Sequence, residues 1–426
     1  MKQNRRTFLQ KSSLAFWGYT FIPKGLGVIK PSDKVRIAVI GTGNMGTNHL
    51  EWFSNLPEAD VVAIADVDLD RQSKALNNLK QWQPQVKVDT YNDFRKILER
   101  ADIDAISCAT PDHWHAQVAA LAFEAGKDVY GEKPLSYSVA EGQMMLKYQQ
   151  KNNRIFQLGT QIHATDNYHR VVELIQGNAI GKVHTIRLWK TGGPPVMQAT
   201  RVSGPPQSLD WDRWLGLAPQ VDYLPERCHG TFRYFLDYSG GVYADFWCHI
   251  ADVAFWACQP SGLKSIEAKG EKAEGIADTP GWINVDFAFD NLNLHWTTEP
   301  PPVPGADDMH IGAYFEGEKG SLICDYNTRK LTIDGETMDD LDHIPVSITR
   351  SPGHQQNFID SVKSRQQPES NLAYARQMTL PMHLGLISWR LGRKLTWDPQ
   401  EEKFIGDAVA DKLLKRKNRK NWQWIK

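Results

Sequence analysis

The sequence predicts an α/β chain, with a doubly wound parallel sheet first and then an α+β domain built on an open, mostly antiparallel sheet. Three observations carry that prediction. Lys34–Gly46 reads KVRIAVIGTGNMG, a short apolar run closing on a glycine-rich turn. A second apolar run, Val61–Ala65, ends in Asp66, 20 residues after Gly46. From residue 166 onward, strand–helix alternation gives way to one helix followed by many strands.

In the first run, Val35, Ile37, Val39 and Ile40 suit a parallel strand buried on both faces. Gly41-Thr42-Gly43-Asn44-Met45-Gly46 matches G-x-G-x-x-G, and residues 47–56 continue with an amphipathic helical pattern. Gly41 permits the tight turn, Gly43 lets backbone approach a pyrophosphate, and Gly46 lets helix and strand pack closely. Free N–H groups and the dipole at the helix N-terminus favour the anion. Asp66 stands where an acid accepts hydrogen bonds from an adenosine ribose, which favours NAD and repels the 2′-phosphate of NADP. This is the Rossmann fingerprint, so the expected cofactor is NAD, with NADP as the alternative.

Composition narrows the remaining classes. The 426 residues exceed one ordinary domain. A net charge of −1 implies no general attraction to nucleic acid or to an anionic membrane. No interior apolar stretch is long enough for a transmembrane helix. Five cysteines, none in C-x-x-C spacing, argue against a zinc or disulfide framework.

Taken in order, residues 1–33 read as a targeting segment. Asn4-Arg5-Arg6-Thr7-Phe8-Leu9-Gln10 resembles the twin-arginine export signal, and the apolar region Ser13–Ile22 follows. A periplasmic location is therefore expected, with the cytoplasm as the alternative. Residues 34–158 form the nucleotide domain. After Asp66 come the helix Arg71–Trp82, a strand at Val86–Val88, the helix Asn92–Arg100 and the strand Asp104–Ala109. That strand ends in Thr110-Pro111-Asp112-His113-Trp114-His115, at the sheet edge where ligands bind. The helix His113–Ala125 closes on Gly126. The strand Lys127–Tyr130 then runs into Gly131-Glu132-Lys133-Pro134, before the helix Ser138–Asn152 and the strand Ile155–Leu158.

Residues 159–400 form the second domain. Asp166 is placed to N-cap the helix Asn167–Gln176. Strands are expected at Val183–Trp189, Leu263–Lys269, Trp282–Phe289, Leu292–Thr298, Ile311–Glu316, Ser321–Cys324 and Lys330–Ile333. Consecutive strands without crossover helices imply antiparallel pairing. The Pro/Gly-rich stretch 192–208 is a candidate substrate rim, and 354–364 and 371–392 read as helices. Residues 401–426 form a basic tail: Lys412–Lys426 holds seven basic residues and no acidic one, with Trp422 and Trp424 expected to pack on the body.

Strand, glycine turn, Asp66, Thr-Pro-x-x-x-His and Glu-Lys-Pro in this order resemble the glucose–fructose oxidoreductase / inositol dehydrogenase (Gfo/Idh/MocA) family. Gly159-Thr160-Gln161 resembles its G-x-Q element, and Gly240–Asp252 resembles its G-G-x-x-x-D-x-x-x-H-x-x-D motif. The similarity runs from about residue 34 to the C-terminus, and the segment Gly392–Pro399 is similar to that of exported members. Trp247 stands where many members have Gly and His163 where many have Arg, so chemistry transfers better than substrate identity.

The resemblance implies an oxidoreductase acting on a hydroxyl or keto group of a sugar, glycoside or cyclitol. Lys133 would contact the reacting hydroxyl, His249 would be the general acid/base, and Asp245 would orient it or share its proton. Asp245 and His249, four apart, share one face of a helix, and imidazole has an ordinary pKa near ~6.5. Besides the glycine turn and Asp66, the implied cofactor set is Thr110, Pro111, Asp112, His115, Glu132, Lys133 and Gln161. Candidate sugar contacts are His163, Arg233, Tyr234 and Trp247, with Asp252 read equally as a substrate ligand or a structural partner. His113 and His115 have H-x-H spacing, but no carboxylate or cysteine complements them, so no metal site is expected. Family resemblance also implies a homo-oligomer through the second sheet. An exported enzyme should hold its cofactor tightly. One rival is a glycosidase or lyase that oxidises its sugar transiently and breaks the bond by elimination; members of that kind tend to lack the Glu-Lys-Pro lysine. A non-catalytic binding module is the other, and Lys133, Asp245 and His249 together argue against it.

Overall fold

The structure, a computed structural model, describes residues 33–425. The twin-arginine-like segment lies outside the described residues.

Six parallel strands form the first sheet: β1 (Val35–Ile40), β2 (Ala59–Ala65), β3 (Asp89–Tyr91), β4 (Ala105–Cys108), β5 (Asp128–Gly131) and β6 (Phe156–Leu158), in the spatial order β3-β2-β1-β4-β5-β6. The order reverses between β1 and β4, and ligands bind in the crevice at such a switch point. Ile37, Ala38, Val39 and Ile40 are all buried because helices cover both faces. On one face, α1 (Asn44–Ser54) contributes Leu50 and Phe53 to a cluster with Val35, Ile37 and Val39. Phe358, Ile359 and Val362, from a helix far along the chain at His354–Ser364, complete that cluster.

Two local expectations here are corrected. The third strand is Asp89–Tyr91, which pairs with Ala63–Ala65; Val86 and Val88 instead pack as partly buried apolar side chains. The helix expected over 92–100 shrinks to Arg95–Leu98, and the Arg95 N–H donates to the Asp93 carboxylate at 3.1 Å in the turn ahead of it. The next crossover helices, α4 (Asp112–Glu124) and α5 (Val139–Asn152), stand near their expected bounds, and α2 (Leu69–Trp82) and α3 (Arg95–Leu98) precede them.

The second sheet has ten strands. They are β7 (Val183–Lys190), β8 (Ser265–Lys272), β9 (Pro280–Ala288), β10 (Asn293–Thr297), β11 (Ile311–Gly317), β12 (Gly320–Cys324), β13 (Arg329–Ile333), β14 (Glu336–Met338), β15 (Leu395–Asp398) and β16 (Lys403–Phe404). Their order is β14-β13-β12-β11-β7-β10-β9-β8-β15-β16, antiparallel throughout except for the parallel β7/β10 pair. The last three strands were not legible, being only 3, 4 and 2 residues long. α6 (Asp166–Gln176) begins with Thr165 at the cap position. Asp166 is its first helical residue, with its carboxylate 85% exposed, so it acts on the helix dipole and is not the cap.

α8 (Gly241–Cys258) is buried over most of its circumference and packs on the second sheet and against α10 (Leu372–Leu391), which itself packs on β8. The short α7 (Trp211–Leu215) and α9 (His354–Ser364) precede α10 in the chain, and α11 (Ala408–Lys412) follows it. One core runs from Ala38 and Ile106 of the first sheet to Phe287 and Phe315 of the second. The C-terminal basic stretch is not a free tail. After β16 and α11 it folds onto the body, where Arg419 donates to the Gly216 carbonyl and pairs with Asp212, and Ile425 is buried. No helix among the described residues is long and apolar enough to cross a membrane.

Candidate active site

The glycine turn is built as its spacing requires. Gly41 has φ +85°, and a Cβ there would stand 2.7 Å from the Ala109 carbonyl oxygen. A Cβ on Gly46, in the first turn of α1, would fall 1.9 Å from the Gly41 carbonyl oxygen. Neither position admits a side chain, and the backbone is left open towards the cleft. Asp66 is fixed just past β2: its Oδ2 accepts from the Thr42 N–H at 2.7 Å and the Thr42 hydroxyl at 3.0 Å, and its Oδ1 from the Asp68 N–H at 2.9 Å. The cleft passes Gly41, Gly43, Asn44, Met45 and Asp66 and continues along Thr110, Pro111, Asp112 and His115 to Glu132 and Lys133. A glycine cradle at a helix start, with an anchored carboxylate beside it, fits the pyrophosphate and ribose of a dinucleotide. Thr42 is buried under the turn, and Gln161, at φ +61° after β6, stands outside the cleft lining.

His115 organises the far end. Its Nε2 lies 2.8 Å from the Thr110 carbonyl and its Nδ1 2.7 Å from the Pro134 carbonyl, so one ring ties the loop after β4 to the loop after β5. The Lys133–Pro134 peptide is cis. His113 points elsewhere, to the Trp214 carbonyl, so the H-x-H pair does not converge. Among the described residues no three His, Cys, Asp or Glu side chains gather as a metal site.

Lys133 directs its Nζ to Asp245, 2.6 Å from Oδ1 and 3.1 Å from the backbone carbonyl. Arg233 Nε holds the other carboxylate oxygen at 3.0 Å. Burial disfavours charge on both partners, but mutual attraction wins. The Lys133 ammonium is held above its ordinary range, while Asp245, between Lys133 and Arg233, is held at about 2. His249 lies one turn along α8. Burial, and then the Lys133 ammonium, push its imidazole down to about 4, against the attraction of Asp245. It is therefore neutral at pH 7, and its ring makes no hydrogen bond among the described residues.

Behind Lys133 is a chain that sequence reasoning missed. Buried His49 of α1 bonds the Ser107 hydroxyl through Nδ1 at 2.6 Å and Glu132 Oε1 through Nε2 at 2.9 Å. Burial raises the Glu132 carboxyl, yet His49 and Lys133 together hold it below the ordinary carboxylate range. His49 carries no motif spacing to Glu132 or Ser107; the sheet brings the three together.

The proposed sugar contacts divide. Arg233 lines the cleft beside Asp245. Tyr234 packs against the apolar cluster that holds Trp211, Trp214 and Tyr238. Trp247 is 0% exposed and donates its indole N–H to the Met378 carbonyl, so it is a core residue and not a substrate contact. His163 is 3% exposed, its Nε2 on Asp252 at 3.0 Å and its Nδ1 on Glu369 at 3.1 Å, with its ring stacked on Trp256. Burial lowers the His163 pKa, but the two carboxylates outweigh it and raise it to about 9. Asp252 is fully buried and also accepts from the Tyr374 hydroxyl. His163 and Asp252 are therefore structural partners of each other, and both leave the substrate set.

Comparison with known proteins agrees with this geometry. The Gfo/Idh/MocA oxidoreductase profile with an NAD-binding Rossmann fold matches residues 35–160, and the profile of the family's C-terminal alpha/beta domain matches residues 189–424. The Bacillus subtilis oxidoreductase YrbE is 28% identical over 320 residues, 72% of this chain and 78% of its own length. Myo-inositol 2-dehydrogenase of Thermotoga maritima is 30% identical over 172 residues, 40% of this chain and 49% of that protein. An alpha-N-acetylgalactosaminidase of Shewanella oneidensis is 37% identical over 120 residues, 27% of this chain and 26% of that protein. Among solved structures, levoglucosan dehydrogenase with NADH and L-sorbose shares the fold at TM-score 0.65 and 16% identity, over 85% of this chain and 99% of that one. Aldose-aldose oxidoreductase of Caulobacter crescentus does so at TM-score 0.64 and 15% identity, over 85% and 99%. With the nucleotide half and the sheet half both matched, the chain belongs to the Gfo/Idh/MocA family of NAD-dependent oxidoreductases.

Proposed function

We propose that the enzyme oxidises a hydroxyl of a sugar, glycoside or cyclitol, or reduces the matching ketone, with Lys133, Asp245 and His249 as the catalytic group. The observation that carries this is a charged, largely buried lysine at the Glu132–Lys133 end of the dinucleotide cleft, paired with Asp245 of the helix that carries the neutral His249 one turn on. NAD, when bound, accepts or returns the hydride. The Lys133 ammonium donates a hydrogen bond to the reacting oxygen and stabilises charge there. The neutral His249 ring nitrogen takes the hydroxyl proton in oxidation and returns it in reduction. Asp245 keeps Lys133 charged and, with Arg233, aims it.

The test starts with mass spectrometry of small molecules released by denaturing the purified protein. A panel of sugars, glycosides and cyclitols is then followed for both NADH and product. Release of NAD(H) and substrate-dependent change at the nicotinamide support the reading; no turnover of any CH–OH compound by NAD-loaded protein sinks it. The Shewanella relative favours a second reading, glycoside cleavage by transient oxidation with no net redox. Bond cleavage with constant NAD(H) in the same panel would establish it.

Two further parts of the reading are proposals. The Arg5-Arg6 segment supports export to the periplasm, with tightly held cofactor, and replacing both by lysine should keep the protein in the cytoplasm. The outer face of the second sheet carries Glu267, Lys269, Asp286 and a 38% exposed Trp282. The exposed Trp282 supports homo-oligomer formation through this face, which light scattering checks. A small-molecule substrate, and neither nucleic acid nor membrane, is the partner proposed.

A further inference from the structure

The last residues of the chain reach the cofactor cleft. Trp422 and Trp424 line it together with Phe94 and Trp114. The four rings form one cluster: Trp424 lies 6.0 Å from Phe94 and 5.9 Å from Trp114 between centroids, and Trp422 lies 6.0 Å from Trp114. Phe94 follows β3 and Trp114 lies in the first turn of α4, whereas Lys133 follows β5. Asp66, at the end of β2, marks the ribose of the adenosine half, so this aromatic cluster stands at the adenine end of the cleft.

The segment is held there by specific contacts. Gln117 of α4 donates to the Trp422 carbonyl at 2.8 Å and accepts from the Trp424 N–H at 3.2 Å. The Arg95 guanidinium stacks 4.1 Å from the centre of the Trp424 ring. Trp114 is itself fixed, since a Cβ on Gly216 would stand 2.0 Å from its ring. Both terminal indoles are only half-buried although they pack on one another, and both contribute to the cleft lining.

We propose that Trp422 and Trp424 form the outer wall of the adenine subsite, and that the C-terminal segment sets how long NAD stays bound. The inference rests on the NAD reading of the cleft. Adenine stacks on aromatic faces, and loss of one such base contact weakens binding by about tenfold or more. Because Gln117 and Arg95 hold the wall in place, release of the adenosine half is coupled to those contacts.

The test uses the full chain. Trp424→Ala, Trp422→Ala and the conservative Trp424→Phe are compared with wild type for NADH dissociation rate and for affinity towards ADP-ribose and nicotinamide mononucleotide. The alanine variants should release NADH about tenfold faster and lose affinity for ADP-ribose but not for nicotinamide mononucleotide, with Trp424→Phe close to wild type. In wild-type protein, amide hydrogen exchange over residues 420–425 should slow when ADP-ribose saturates the cleft, a measurement that needs no variant to fold. Unchanged dissociation in folded alanine variants, or unchanged exchange on saturation, overturns the inference. If wild type binds neither NADH nor ADP-ribose, the NAD reading itself fails, which separates the two failures.

Discussion

Lys133 and Asp245 are 112 positions apart, yet Nζ and Oδ1 meet at 2.6 Å. That contact joins the end of β5 to α8, and so joins the nucleotide half to the helix that carries His249. It also fixes the charge state of the site: one ammonium is neutralised by one carboxylate, and a neighbouring imidazole is kept neutral.

The pH dependence should report that arrangement. His249 must be neutral to accept a proton, so activity is present above its pKa and lost as pH falls through about 4. Lys133→Met removes a donor to the reacting oxygen and should lower kcat by about 10²–10³-fold. It also removes the Lys133 charge, which after burial is the larger cause depressing His249, so the acid limb of kcat/KM should move up from about 4 while burial keeps it below the ordinary imidazole value. A limb that stays in place would show that Lys133 does not act on His249.

Asp66 should decide between the two nicotinamide dinucleotides. Asp66→Ala removes the acceptor for the adenosine ribose and the charge that repels a 2′-phosphate. NAD affinity should fall by about tenfold, the cost of one good charged hydrogen bond, while NADP affinity rises. Titration of both cofactors by fluorescence checks the two directions separately.

Gly46→Ala should fail for a steric reason. Its Cβ would lie 1.9 Å from the Gly41 carbonyl oxygen, a rigid backbone atom, so α1 must move away from β1. Destabilisation of about 3 kcal/mol or more is expected, with loss of NAD binding, because overpacking against backbone cannot relax by a rotamer change. Thermal melts with and without NAD measure both effects.

His163 makes stability itself depend on pH. Its folded pKa, about 9, lies above the ordinary value of 6.5, so its contribution is fully present below pH 6.5 and is lost as pH rises through 9. The span corresponds to roughly 3 kcal/mol as an upper figure, since solvent screens the share from exposed Glu369. His163→Gln should flatten that slope and destabilise the fold by about 3 kcal/mol or more by leaving Asp252 buried without a cation. Urea melts at pH 6 and pH 9 on both proteins check it.

Much of the fold was legible because its signals are local. The strand, glycine turn, helix, strand and Asp66 lie within residues 34–66, and each is defined by spacing along the chain. The i, i+4 relation of Asp245 and His249 was legible for the same reason, since one helix carries both. The third strand was misplaced because β-branched residues at 86 and 88 outscored Asp89–Tyr91, whose strand state comes only from pairing with β2. The sugar-contact set erred at Trp247 and His163, and Asp252 stayed open between ligand and structural partner, because residue type does not tell which face of a helix meets the core and which meets a cleft.

By itself the sequence determined a dinucleotide fold with its cofactor turn, and the order of the parts around it. Only the tertiary structure decided which charges meet. Lys133 finds Asp245, His49 finds Glu132, and His163 finds Asp252 across separations of 112, 83 and 89 residues. The tertiary structure likewise brought the C-terminal indoles to the cleft. Local periodicity records how each segment buries its own apolar face. It does not record which segments then lie side by side, and the protonation of a buried group depends on those neighbours and on the water they exclude.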